Sequence, residues 1–274
     1  MTADVGLVGT VRDMSYFTDL TDDWHSGAMD VEVTEVGPGV HHARAKHVSW
    51  ALVTDGATVT LVDTGYPGDR ERLFRSLELI GRRASDVDAV VLTHGHPDHL
   101  GSAEHLRSAY GVPVLAHEAE VPNASGTRVE QVSERTLLGQ SWRPAVLRWA
   151  LDVMRLGVTR VERVRELRDF GEETLDVPGR PVAIHTPGHT SGHCSLHLPD
   201  RGVLLAGDAV MTEHALGRDA GPQLLPAFFN TDTGLARRSL ERLRPLAADV
   251  VVPGHGPTFR GTPARAVELA LAYG

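Results

Sequence analysis

Apolar and polar residues alternate along Val31–Val36 (VEVTEV), which predicts a half-buried strand. Two further β-rich runs, Trp50–Val53 and Val59–Val62, flank Asp55-Gly56, a turn signal, and together predict a hairpin. Between Arg70 and Gly81 the apolar residues Leu73, Leu77 and Ile80 fall at helical spacing with charge between them. A short apolar run, Asp88–Thr93, reads as a buried strand. Leu100–Tyr110 then reads as a helix closed by Gly111, and Val112–His117 as another strand. Strand, helix and strand in succession predict an α/β arrangement.

The pattern changes between Glu118 and Phe170, where no strand signal occurs. Trp142, Val146, Trp149, Val153 and Leu156 fall at i, i+4, i+7, i+11 and i+14, one apolar stripe of a helix with Pro144 suited to its first turn. Residues 119–170 therefore read as a helical insertion in a single domain spanning 1–274. Strand signals resume at Pro181–His185, Cys194–Leu198 and Val203–Leu205, and a last strand, Asp249–Val252, lies between helices over Thr233–Arg244 and Pro263–Ala272. The opening segment, to about Gly27, is polar and aperiodic and reads as a loosely held arm.

Composition narrows the function. The 274 residues carry a formal charge of −9, against the clustered excess base that a nucleic-acid surface needs. A single cysteine, Cys194, excludes an internal disulfide framework and a Cys-only metal cage. No basic start with an apolar core marks a secretory signal, and no stretch approaches the roughly 20 apolar residues of a membrane span. The expectation is a cytoplasmic protein with a small-molecule substrate, no nucleic-acid or membrane partner, and an oligomeric state that the sequence leaves open. The anomaly is 15 histidines, and they cluster.

The run His94-Gly-His96-Pro-Asp98-His99 starts where a predicted buried strand stops. His94 and His96, two apart, project to one side of an extended backbone. Pro97 forces a turn that aims Asp98 and His99 elsewhere, near a helix N-terminus. Packing has no use for three histidines and an aspartate in one turn, whereas neutral imidazole and carboxylate suit zinc and also accept iron or manganese. Three more strand ends carry single candidates, His189, Asp208 and His255, each beside glycine where backbone can approach a crowded centre. Strand ends of α/β sheets are where ligands usually bind.

The set His94-x-His96-x-Asp98-His99, followed by His189, Asp208 and His255 in order, resembles that of the metallo-β-lactamase superfamily, over roughly Val31 to the C-terminus. The resemblance implies an αβ/βα sandwich of two mixed β-sheets flanked by helices, with the site at one edge between the sheets. It implies that His94, His96 and His189 hold one metal, that Asp98, His99 and His255 hold a second, and that Asp208 bridges them, with two zinc ions the expected cofactors. Asp63, in the turn Asp63-Thr-Gly65, resembles a residue that orients a ligand histidine; an ordinary turn carboxylate is the other reading.

Two ions about 3.5–4 Å apart share a water and lower its pKa from about 15.7 towards 7, so a bridging hydroxide can attack without a serine or cysteine nucleophile. Asp98 and Asp208 are the catalytic candidates, Asp98 as acceptor of a hydrogen bond from the attacking hydroxide. Exported class B β-lactamases commonly place cysteine where this chain has Asp208. The glutathione-binding helical domain of glyoxalase II has no room in the 19 residues after His255, and quorum-quenching lactonases usually have a tyrosine where this chain has Met211. A hydrolase of small esters, thioesters or lactones is the leading expectation. A phosphodiester or nucleotide hydrolase on the same metals is the alternative, and a non-hydrolytic metal oxygenase or a binding module stands behind both. Trp142, Trp149, Val153 and Leu156 are candidates for an apolar lid. The nine arginines between Arg128 and Arg168 either attract an anionic acyl carrier or form a solvated face. Glu213 and His214, close after Asp208, are substrate-contact candidates or a solvated turn.

Overall fold

The computed structural model describes residues 30–132, 136, 139, 142–217 and 220–273. The arm predicted up to Gly27 lies outside the described residues. Seven strands form one sheet in chain order: β1 (Glu32–Gly37), β2 (Val40–Arg44), β3 (Ser49–Asp55), β4 (Thr58–Val62), β5 (Val87–Val91), β6 (Val114–His117) and β7 (Arg168–Phe170). The first four pair antiparallel, and β4 to β7 are parallel. The second sheet has the order β12-β11-β10-β9-β8, from β8 (Val182–His185), β9 (Cys194–Leu198), β10 (Val203–Gly207), β11 (Val250–Pro253) and β12 (Phe259–Arg260). Only β10 and β11 are parallel there.

Period-two alternation sorts the strand residues into layers. On the larger sheet Leu52, Leu61 and Val90 point outward, onto Leu73 and Leu77 of helix α1 (Arg70–Leu79) and Leu106 of helix α2 (Ala103–Tyr110). Their neighbours Val53, Val62 and Val91 point inward, into a core shared with Leu196, Leu198, Leu205 and Val252 of the second sheet. On that sheet's far side Leu204 and Val251 meet Leu240, Leu243, Val267 and Ala270 of the C-terminal helical segments. Helix, sheet, sheet and helix thus stack as the αβ/βα sandwich that the motif's resemblance implied.

Some elements differ from the sequence pattern. Among its described residues the segment 119–170 includes the helices α3 (Val121–Ala124) and α4 (Pro144–Arg155), but it ends in β7, which pairs parallel to β6. With its three residues Arg-Asp-Phe, β7 is held by backbone pairing and has no alternating apolar pattern to betray it. Val146, Trp149 and Val153 form the buried stripe, Leu156 packs on it, and Trp142 lies before the helix and is 78% exposed. The helix predicted over Thr233–Arg244 is α-helical as α5 (Thr233–Ser239) and tightens to 3-10 geometry over Leu240–Arg242. The C-terminal helix is α6 (Pro263–Tyr273). Helix α2 begins at Ala103, so His94–His99 occupy a loop and not a helix N-terminus; Gly111 closes the helix in the left-handed conformation as expected. No described helix is long and apolar enough to cross a membrane.

Candidate metal centre

Each candidate ligand follows a strand, and the parallel strands β4, β5, β10 and β11 deliver four of the turns to one edge of the sandwich. Asp63 follows β4, His94–His99 follow β5, Asp208 follows β10 and His255 follows β11, while His189 lies in the β8–β9 connection. Backbone bonds across the sheets lock the turns together: Cys194 N–H donates to Thr93 O at 2.9 Å and Ser49 N–H to Gly254 O at 2.8 Å. Gly254 shows why glycine stands there, since a Cβ would collide with the Asp208 carboxylate.

All seven predicted residues converge. The inward ring nitrogens of His94, His96 and His189 form a triangle with edges of 3.0, 3.2 and 2.9 Å. A triangle of that size places its corners about 2 Å from a point just off its plane, the zinc–nitrogen distance. Asp98, His99 and His255 form a second group: Asp98 Oδ2 lies 3.8 Å from His99 Nε2 and 3.6 Å from His255 Nε2. Asp208 lies between the groups. Its Oδ2 is 3.4 Å from His189 Nε2 and 3.2 Å from His255 Nε2, and its Oδ1 is 3.4 Å from His99 Nε2.

The donor set fits divalent cations on a further observation. His99 Nε2 and Asp208 Oδ1 are buried and have no hydrogen-bond partner, so a cation between them would satisfy both. Electrostatics agree. Burial opposes charge on His99, yet Asp208, Asp63 and Asp98 together raise it to about 10, and Asp208 likewise outweighs burial to raise His255. Asp208, although buried, is held well below the usual carboxylate range by His255 and His99. His94 and His189 are pushed well below the usual histidine value, by burial first and then by neighbouring imidazoles. The pocket therefore attracts positive charge beside its carboxylates and keeps the histidine triangle neutral, the form that ligates metal.

Every one of the five histidines has its other nitrogen held from outside. Thr93 Oγ1 holds His94 Nδ1 at 3.0 Å, the Glu130 carbonyl holds His96 Nε2 at 2.6 Å, and the His47 carbonyl holds His255 Nδ1 at 2.6 Å. Asp63 Oδ2 accepts from His99 Nδ1 at 2.8 Å, and Asn230 Oδ1 lies 3.2 Å from His189 Nδ1. Such partners fix ring orientation and tautomer. Asp63 is thus more than a turn carboxylate: it also accepts from Thr93 N–H and Thr93 Oγ1, and its backbone takes a φ of 64°.

Several contributors were not foreseen from sequence. Glu120, fully buried, accepts from Gly95 N–H and Asn123 Nδ2 with one oxygen and from Thr190 Oγ1 and Gly192 N–H with the other. It ties the His94–His99 loop to the His189 loop; burial pushes its carboxyl up to about 7 against those donors. His193, lowered by burial to about 3, accepts from the Asp208 backbone N–H at 3.0 Å. Tyr66 is buried at the site and lines the same cavity as Asp98, so a phenol is present although Met211 offers none. His214 packs edge-on against His255 and tilted against Trp149, while Glu213 is exposed. His42 is remote from the cluster and bonds Thr258 Oγ1 at 2.7 Å, and Cys194 is a buried strand residue.

A cavity of about 520 Å³ opens over the cluster. Its floor includes His96, Asp98, His189, Asp208 and His255, and one wall is α4, through Val146, Trp149 and Val153. Trp142 and Leu156 do not line it.

This sandwich with a His/Asp cluster between the strand ends is the architecture of a metal-dependent hydrolase, and comparison gives the family. A family model for the metallo-β-lactamase superfamily matches residues 43–255, and the chain belongs to that superfamily. A probable metallo-hydrolase of Bacillus subtilis, YflN, is 30% identical over 222 residues, covering 77% of this chain and 80% of that protein. The hydroxyacylglutathione hydrolase GloC of Haemophilus influenzae is 26% identical over 74% of this chain and 82% of its own length. Among solved structures, a metallo-β-lactamase family protein of Thermus thermophilus superposes with a TM-score of 0.60 at 28% identity, covering 82% of this chain and 73% of that one.

Proposed function

We propose that this protein hydrolyses small esters, thioesters or lactones with a pair of divalent cations, zinc being the ion the donors suit best, though iron or manganese is accommodated. His94, His96 and His189 would hold one ion, Asp98, His99 and His255 the other, and Asp208 both. The observation that carries the reading is the position of Asp208 between two triads, with one of its oxygens and the facing His99 nitrogen left without partners. Cations bound there supply an ionised water near neutral pH and polarise the scissile carbonyl. Asp98, beside His99 and His255 in the cavity floor, is placed to accept a hydrogen bond from the attacking water. The described cavity lining offers no serine or cysteine nucleophile, in keeping with direct water attack. The wall formed by α4 supports a lid role for the segment 119–170. The Haemophilus relative, named a hydroxyacylglutathione hydrolase, supports the thioester member of this substrate group. No Lys or Arg among the described residues lines the cavity, which counts against the phosphodiester alternative.

The test is metal content by elemental analysis together with turnover of ester, thioester, lactone and phosphodiester substrates, for the wild type and for Asp208→Ala. Two ions per chain and ester-class turnover are expected, with loss of metal and turnover in the variant. Equal metal content and rate in the variant would sink the proposal, as would an acyl-enzyme trapped in rapid-quench experiments.

A further inference from the structure

We infer that the substrate carries an uncharged apolar arm, seated against the wall formed by α4 and Phe229 beside the His/Asp cluster. The inference rests on the hydrolase reading and names its substrate class.

Three observations lead to it. First, the cavity lining away from the His/Asp floor is predominantly apolar, with Tyr66, Gln131, Thr159 and His214 its polar members. Its sides are Val146, Trp149, Val153, Leu225 and Phe229, with the Trp149 and Phe229 rings edge-on at 5.6 Å between centroids. Apolar lining of this kind binds through burial of apolar ligand surface, with orientation left to the few polar groups. Second, the rim is apolar too. Leu147 and Met154 line the mouth and are 51% and 56% exposed, on a helix whose outward face would ordinarily be polar. A chain reaching out of the cavity would run along them. Third, no described Lys or Arg lines the cavity to anchor a carboxylate or phosphate on the substrate's arm, away from the cluster. Three of the segment's nine arginines are engaged elsewhere: Arg155 pairs with Asp152, Arg165 with Glu104, and Arg163 donates to the carbonyls of Gly95 and Asn123. Beyond the His/Asp cluster itself, the described lining carries no charged side chain. An anionic carrier such as a nucleotide thioester thus gains nothing there, whereas a neutral alkyl or aryl group gains burial.

The experiment compares methyl hexanoate and hexyl acetate with methyl acetate on the metal-loaded protein by pH-stat, and titrates hexanamide and acetamide into it by calorimetry. One of the longer esters should exceed methyl acetate in kcat/KM by at least about tenfold, since a single methylene in an apolar pocket already discriminates about tenfold or more. Hexanamide should bind measurably and acetamide should not. Met154→Glu, at an exposed rim position that folding tolerates, should cut the long-ester preference by about tenfold. If methyl acetate matches both longer esters, or hexanamide binds no better than acetamide, the apolar-arm inference falls while the hydrolase reading stands. If neither these esters nor the thioesters and lactones of the first panel are cleaved yet hexanamide binds, the hydrolase reading falls and the apolar seat remains.

Discussion

Asp63→Asn isolates the part of this site that the sequence least explains, the outer partners of the histidines. Asn fits the 64° φ at this position, because asparagine tolerates the left-handed region nearly as well as glycine does. Its carbonyl can take the Oδ1 position and accept from Thr93 N–H at the existing 2.8 Å. Its amide must then take the Oδ2 position, facing the Thr93 hydroxyl, which can rotate to accept, and His99 Nδ1. An NH2 group there donates to Nδ1 and drives the ring proton to Nε2, the nitrogen that faces Asp98 and Asp208. A protonated Nε2 cannot ligate. Disruption of such an outer partner costs about 10–100-fold in metal affinity, or about 1.4–2.7 kcal/mol. Without metal His99 is charged, so the variant loses its buried pair with Asp63 as well as the charge on the two bonds to Thr93, a loss of about 3–5 kcal/mol. The assay is zinc competition against a chromophoric chelator, alongside urea unfolding with and without zinc. Metal-free unfolding separates general damage from ligand misalignment. Should Asp63→Asn bind zinc within about twofold of wild type, Asp63 does not set the His99 tautomer and the reasoning fails.

Three further outcomes follow from the same structure. Glu120→Ala leaves four buried donors without an acceptor, at about 1–3 kcal/mol each before relaxation and before relief of carboxyl burial, so urea unfolding should show a loss of about 2–4 kcal/mol. Burial lowers His42 to about 3 against 6.5 in the unfolded chain, so the unfolded state binds the extra proton between those values. That contribution to stability is present above pH 6.5 and is lost as pH falls towards 3, by up to about 1.4 kcal/mol per pH unit, and His42→Asn should show a shallower acid slope. Burial also pushes the Cys194 thiol up to about 12, so native protein should resist iodoacetamide at pH 8 while unfolded protein reacts completely.

What could be read in advance follows a physical division. The seven cluster residues were legible because metal-ligand side chains at strand ends, dense and beside glycine, have no bland structural use. The alternating and helical patterns likewise revealed the long elements, whose apolar faces must be buried. Short edge elements were illegible: β7 and β12 have three and two residues and are held by backbone bonds that any side chain permits. The outer partners other than Asp63 were illegible for a related reason. Two of the five histidines are oriented by backbone carbonyls, of Glu130 and His47, and a carbonyl leaves no mark on residue type.

The same division bears on how the site forms. The histidine partners come from Asp63 and Thr93 at strand ends of the first sheet, from His47 in the β2–β3 loop, from Glu130 after α3, and from Asn230 before α5. No local segment contains a complete histidine and partner set for either triad. His99 is aimed by a residue 36 positions earlier, His255 by one 208 positions earlier, and His189 by one 41 positions later. The geometry at the strand ends is therefore a property of the docked sheets and not of the HxHxDH run. An isolated fragment carrying that run would keep the ligand types but not the fixed tautomers, and its affinity for zinc would lack the contribution that preorganisation supplies.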